Sequence, residues 1–326
     1  MSNPDSANFG KEKMFPPLPL EAWKETKDTL HLYLQIVGKI RLALFPPLNH
    51  WWHVPLYVSS RGLTTRAIPY AYGNFQIDFD FIDHALMITT SDGARRQFPL
   101  RDGLSVSEFY QNVFADLAAL GINVEIRAVP YEAGSEKPFT TNTQHAAYDQ
   151  EYVERFWRIL VAVDDIFEEF RGRFIGKSTP VHLFWHSFDL ALTRFSGRSA
   201  PVREGAGVVE RQAYSHEVIS FGFWAGDDNV PAPAFYSYTA PEPEGLTDEP
   251  LRPEAAYWGT LRGGAMALLL YEEVRKAESP RADVLDFLES AYQAGANRAG
   301  WDQETFKFKP LPHEKGQGER HSSKDE

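Results

Sequence analysis

Residues 75–81, Phe-Gln-Ile-Asp-Phe-Asp-Phe, alternate apolar and polar side chains without a break. Period two is the spacing of a β-strand, and it puts Phe75, Ile77, Phe79 and Phe81 on one face. Asp83-His84 reads as a tight turn, residues 85–90 as the returning strand, and Ser91-Asp92-Gly93 as the next turn. A chain that doubles back this quickly builds an antiparallel meander. The opposite signature comes later. Val153, Phe156, Trp157, Leu160, Val161, Asp164, Phe167 and Phe170 recur at helical spacing and predict an amphipathic helix. Meander strands with helices at either end define an α+β chain.

The remaining elements follow the same two periods. Residues 20–38 fit both, with Trp23, Thr26, Leu30, Tyr33, Leu34 and Val37 at helical spacing and Leu30, Leu32, Leu34 and Ile36 alternating. The charged first half and the lack of β-branched runs favour a helix. Residues 39–45 read as a strand, Pro46-Pro47 as a turn and 51–59 as a strand. A helix starts at Ser105 and stops before Gly121. Residues 124–129, 181–195, 217–224, 234–239 and 267–270 read as strands, and 281–299 as a final helix. Residues 198–207 and the Pro/Glu-rich 241–253 read as loops. The polar stretch 132–143 is the expected boundary between a first lobe, 14–135, and a second, 144–303. Residues 1–13 and 310–326 are polar and aperiodic, and read as disordered ends.

The halves share an order of helix, antiparallel strands and helix, and they share residues. Pro47 precedes Trp52-His53 by the same five positions that separate Pro180 from Trp185-His186. Residues 77–81 likewise match 219–223. These likenesses predict an internal duplication: two similar lobes, each an antiparallel meander sheet flanked by helices, with a cleft between them where ligands commonly bind.

Composition removes several functions. The net charge is -12, with 33 Lys+Arg against 45 Asp+Glu, so a phosphate backbone would repel the chain. No dense basic run overrides that charge, and nucleic-acid binding is not expected. There are no cysteines, which removes disulfides, thiolate metal sites and cysteine nucleophiles. No basic segment followed by an apolar run opens the chain, and no apolar stretch of about 18 residues exists, so neither a signal peptide nor a membrane span is expected. The cytoplasm is the expected location.

Ionisable residues in apolar patterns are the candidates for chemistry. His182 and His186 have metal-pair spacing, but on a strand they would sit roughly 13 Å apart, too far for one ion. A shared site would need residues from several strands, such as His50, His182 and His216. Core histidines bonded to carbonyls are the simpler reading. Glu217 alternates with Ile219, Phe221 and Phe223, so it is either a solvated strand end or a buried carboxylate needing a cation. Its expected partners are Arg194 and His182. Arg61, Arg66, Arg194 and Arg198 follow the Trp-His segments and could grip a carboxylate or phosphate, against the simpler reading of surface arginines. Glu217 and His216 are thus the candidate catalytic pair, and His50, His182, Arg194, Arg198 and Arg61 the candidate ligand-binding residues. No metal site is assigned and no cofactor is named.

Five segments carry a family likeness: LPLEAWKETKDTLHLYLQIVGKIRLALFPPLNHWWHVPLYV, IDFDFIDH, RFIGKSTPVHLFW, FDLALTRFSGR and AYSHEV together with their spacing along nearly the whole chain. The chain resembles an uncharacterised, mostly bacterial family filed as a domain of unknown function. That resemblance implies a bacterial cytoplasmic protein and transfers no reaction, cofactor or catalytic residue. The residues themselves favour a small-molecule binding protein or enzyme with a polar site in the cleft, taking a small anionic ligand. A metal-dependent enzyme using His and Glu, and a non-catalytic interaction or scaffold protein, are the alternatives.

Overall fold

The computed structural model describes residues 14–309 apart from 72, 132, 134, 203, 204 and 262. The expected disordered ends, 1–13 and 310–326, lie outside the described residues. Helix α1, Leu20–Leu44, runs straight through the segment 39–45 that alternation assigned to a strand. Residues 29–38 of α1 are buried on every side, so its apolar residues follow no stripe and the periodicity is uninformative there. Pro46-Pro47 stops the helix, since the residue before a proline is pushed out of the helical region. Phe45 is accordingly extended, with φ -78° and ψ 137°.

Short strands β1 (Tyr57–Ser59), β2 (Gly62–Thr64) and β3 (Ile68–Tyr70) lead into β4 (Gly73–Asp80), β5 (Ala85–Thr90) and β6 (Arg95–Pro99). They form one six-stranded antiparallel sheet, ordered β1-β2-β4-β5-β6 with β3 also on β4. Phe75, Ile77, Phe79 and Phe81 are all buried on one face, as the alternation requires. Helix α2 (Val106–Ala119) covers that face through Phe109, which stacks on Phe79. Its start is fixed by Ser105, whose side chain accepts from the Glu108 amide. Residues 124–129 form no strand.

The second half opens with α3 (Gln150–Gly172) and builds β7 (His182–Phe184), β8 (Asp189–Ser199), the short α4 (Val208–Ala213), β9 (His216–Trp224), β10 (Ala234–Ala240), β11 (Tyr257–Leu261) and β12 (Gly264–Leu270). Helices α5 (Tyr271–Lys276), α6 (Pro280–Arg298) and α7 (Gln303–Phe306) close the chain. The second sheet is also six-stranded and antiparallel, in the order β11-β12-β10-β9-β8-β7. The expected single strand 181–195 is two strands, because a turn at 185–188 breaks it and Phe188 takes a left-handed φ of 58°. Strand β11 was not foreseen. The protein is thus α+β with two antiparallel sheets.

The edges of the two sheets meet. Leu56 and Leu183 exchange backbone hydrogen bonds of 2.9 Å in both directions, so β7 continues from the β1 side as an isolated antiparallel bridge. Directly opposed residues of such a pair point the same way, and neighbours along the strand point the other way. Leu56 and Leu183 are fully buried. Tyr57 and His182 therefore share the opposite side, with ring centroids 5.6 Å apart.

The Trp-His pairs do not overlay. Trp52-His53 precede β1, whereas Trp185-His186 follow β7. The shared sequence pattern is not a shared position in the two sheets.

Candidate functional site

Alternation divides the second sheet into two chemically different faces. One carries Leu190, Leu192 and Arg194 of β8, Ile219, Phe221 and Phe223 of β9, and Phe235 of β10, all buried. Helices α3 and α6 cover it. Gly295 of α6 sits so close to Thr239 and Ile219 that a Cβ would collide with both. The other face carries His182, Thr193, Ser220, Tyr236 and Tyr238, and it is lined with hydroxyls, imidazoles and aromatic rings.

Three expected site residues lie on the helix-covered side. Arg194 is 2% exposed and stacks on Phe170, with its guanidinium 3.5 Å from the ring centroid and Tyr292 at 4.5 Å. It donates to the Phe170 carbonyl at the end of α3. Burial pushes its pKa down to about 10. Glu217 does not pair with Arg194 or His182. Its Oε2 accepts from Ser196 at 2.9 Å and from the Nε of Arg198 at 2.8 Å. The same guanidinium donates to the carbonyls of Ala299 and Gly300 just past α6. The partner changes because the β8 bulge between Phe195 and Ser199 brings Arg198 over Glu217. Arg61 lies on the first sheet, holding Asp80 at 2.6 Å and Asp83 at 2.7 Å across a hairpin.

Of the other three, His50 and His216 stand together near the seam beside the short helix α4, and His182 is linked to them through Trp52, whose ring lies 5.6 Å from His50 and 6.4 Å from His182. The ring centroids of His50 and His216 are 5.5 Å apart. His50 is 8% exposed and its Nδ1 lies 3.2 and 3.3 Å from the carbonyls of Gln212 and Ala213. A carbonyl only accepts, so the hydrogen sits on Nδ1 and the lone pair on Nε2. That lone pair faces Lys177, whose Nζ is 2.6 Å away. Lys177 also lies over the rings of Phe195 and Trp52, at 4.8 and 5.5 Å. Burial lowers the pKa of both groups, and for His50 the charge of Lys177 adds to the effect.

His182 has no exposed surface, and neither ring nitrogen has a hydrogen-bond partner. Burial pushes its pKa down to about 3, with the charges of Arg66, Arg41 and Arg171 acting in the same direction. Arg66 lies 3.5 Å over the Tyr57 ring and Arg41 5.7 Å from it. Arg41 is 2% exposed, and the Nε atoms of Arg41 and Arg171 are buried without an acceptor. Asp164 on α3 faces Arg66 without an ion pair, and burial followed by repulsion from Glu168 raises its pKa to about 6. The seam therefore holds a neutral imidazole with both nitrogens unpartnered and two arginines, each with an unpartnered buried Nε, although Arg41 also donates to the Thr65 carbonyl and Arg171 to Glu168 at 3.0 Å. Such atoms are normally satisfied in folded proteins.

The backbone here is unusual as well. His50, Trp51 and Arg66 have left-handed φ values of 53°, 62° and 54°. Non-glycine residues seldom adopt that region, and such strain concentrates at ligand sites. A hydroxyl ladder crosses the same face: Thr193 meets Ser220 at 2.8 Å, and Tyr238 meets Tyr214 at 2.8 Å. Beside it, Tyr236 and Ser187 donate to the Asp189 carboxylate. Gly222 is required under this network, because any Cβ would fall inside the Tyr236 ring.

Sequence reasoning missed Lys177, Tyr57, Arg41 and Arg171. Arg41 had a signal, being with Lys39 one of two cations in an otherwise apolar helix end. Lys177 follows a glycine in a connecting segment and had none. Among the described residues, no three His, Asp or Glu side chains are grouped as metal ligands. No helix of the described residues is long and apolar enough to cross a membrane.

The chain belongs to the family described as Family of unknown function (DUF5996), which it matches over residues 15–308. No curated protein and no solved structure matches it.

Proposed function

We propose that the seam between the two sheets binds a small anionic ligand, and that the protein is a small-molecule binding protein or enzyme working through that site. One observation carries this reading. His182 is wholly buried with both nitrogens unpartnered, inside the field of Arg41, Arg66 and Arg171. Buried donors without acceptors cost free energy unless a guest supplies the acceptors. Arg171 is paired with Glu168, but Arg41 and Arg66 form no ion pair among the described residues, and guanidinium groups match carboxylate or phosphate oxygens in pairs. Arg66 is exposed and stacked on Tyr57, so it supplies the face a ligand would meet first. The lack of cysteine fits a reducing compartment, and the cytoplasm is the location we infer.

Thermal melts in inorganic phosphate, against sodium chloride of equal ionic strength, test the reading. Phosphate should raise Tm in the natural protein and leave Arg66→Asn unshifted. Asparagine is chosen because it tolerates the left-handed φ at this position. Equal shifts in both proteins, or none in the natural one, overturn the proposal.

A further inference from the structure

The pair formed by Lys177 and His50 has no structural task comparable to its geometry. Arg194, Arg198 and Arg61 each fasten one element to another. Lys177 meets no carboxylate among its described contacts, and its Nζ rests instead on an imidazole lone pair at 2.6 Å. The imidazole is held from behind by the carbonyls of Gln212 and Ala213. An amine within hydrogen-bond reach of a base, and a base oriented by a third group, is the arrangement of an activated nucleophile. Partial desolvation lowers the Lys177 pKa despite the attraction of its ammonium to the Trp52 and Phe195 ring faces, and the side chain of Lys177 remains exposed to an incoming molecule.

We infer that Lys177 is a nucleophilic amine that condenses with the carbonyl group of an anionic aldehyde or oxo acid, with His50 as its proton acceptor and donor. The anionic part of this class rests on the seam reading above. Trp52 joins the two places, since its ring lies 6.4 Å from His182 and beneath Lys177.

The chemistry balances without a further reactant. The Lys177 ammonium gives one proton to Nε2 of His50. The freed lone pair on Nζ attacks the carbonyl carbon, forming the C–N bond while the C=O π pair moves to oxygen. A proton moves from nitrogen to that oxygen, giving a carbinolamine. His50 returns its proton to the hydroxyl, which leaves as water, and the nitrogen lone pair closes a protonated imine. The sum is ammonium plus carbonyl giving iminium plus water. The Nδ1 hydrogen of His50 stays on its two carbonyls throughout, which stabilises the transient imidazolium.

Pyridoxal 5′-phosphate and pyridoxal are the probes, trapped with borohydride and located by peptide mass spectrometry. The 12 lysines provide internal comparison, with Lys39 the most useful because burial also lowers its pKa while it sits over Trp185. Lys177 should be modified on the order of tenfold faster than Lys39 by both aldehydes, and His50→Asn should remove that advantage. Circular dichroism of His50→Asn checks its fold, and Lys177→Arg should delete the fast site alone. Pyridoxal phosphate outpacing pyridoxal, with competition by inorganic phosphate, supports both readings. Equal rates without competition keep the amine and overturn the anion site. A Lys177 no faster than Lys39 with either aldehyde overturns the inference, whatever phosphate does.

Discussion

Arg198 bridges Glu217 at the start of β9 to the last carbonyls of α6, with its Nε 2.8 Å from the carboxylate and one terminal nitrogen 2.6 Å from the Ala299 oxygen. A cation at a helix C-terminus is favourable in itself, because the unpaired carbonyls there carry partial negative charge. Glu217 steers the guanidinium into that position. The pair is a fastening between the sheet and the helix that covers it.

Glu217→Gln should therefore lower stability by about 1 kcal/mol, since the glutamate is partly exposed and the arginine keeps its carbonyl partners. Chemical denaturation measures it. The phosphate-induced Tm shift should be unchanged, as Glu217 faces away from the seam. A lost phosphate response with unchanged stability would return Glu217 to the site.

Gly38→Ala tests the packing behind the seam. A Cβ at Gly38 would fall within the Trp185 indole. That ring cannot slide, because its Nε1 donates to the Val54 carbonyl at 2.9 Å, two residues before the Leu56–Leu183 bridge. The expected cost is about 1–3 kcal/mol, read from urea midpoints. A neutral substitution would mean that the indole is free to move.

Two buried imidazoles set the acid limit of stability. Burial holds His31 at about 4 and His182 at about 3, both below the ordinary 6.5. A depressed folded-state pKa means that the unfolded chain takes up the proton first. The stabilisation is complete above pH 6.5 and is lost as pH falls from there through 4 and 3. Each imidazole contributes a slope of at most about 1.4 kcal/mol per pH unit in that window. His182→Leu should make the decline shallower and be at least as stable at acid pH. An unaltered slope from pH-dependent denaturation would contradict it.

Asp164 works in the opposite sense. Its pKa is raised from 3.8 to about 6, so its favourable contribution exists below 3.8 and disappears as pH rises through 6. Above that the folded state carries a poorly solvated carboxylate. Asp164→Asn should stabilise the protein by about 1 kcal/mol at pH 8, after allowance for partial solvent screening, and make little difference near pH 4. The same gain at both pH values would place the effect elsewhere.

Local periodicity was legible wherever an element buries one face. The four alternating residues of β4 and its following turn are buried as their spacing requires, and so are Val153, Phe156, Trp157, Leu160, Phe167 and Phe170 of the α3 stripe, whereas Val161 is exposed and Asp164 only half-buried. Capping chemistry at Ser105 and the turn at Gly121, with φ 74°, were equally readable. The stretch 29–38 of α1 was not, because burial on all sides erases the contrast that periodicity measures. The run 181–195 failed for another reason: its residues suit a strand individually, and the reversal at 185–188 depends on Trp185 finding Val54 and Gly38.

The sequence by itself determined the α+β class, most of the helices and strands, and the chemical inventory of the site, including three of its histidines. Tertiary structure alone decided which of those residues meet. Lys177 and His50 stand 127 positions apart, and nothing local to either records the other. A β-strand specifies two faces by its period, but which face receives helices and which remains polar depends on the elements that pack against it. The bulge that gives Arg198 to Glu217, and the Leu56–Leu183 bridge that sets Tyr57 beside His182, are long-range events of that kind. Side-chain periodicity propagates along the chain, while charge and hydrogen bonding act through space, and only the folded chain puts the two on the same map.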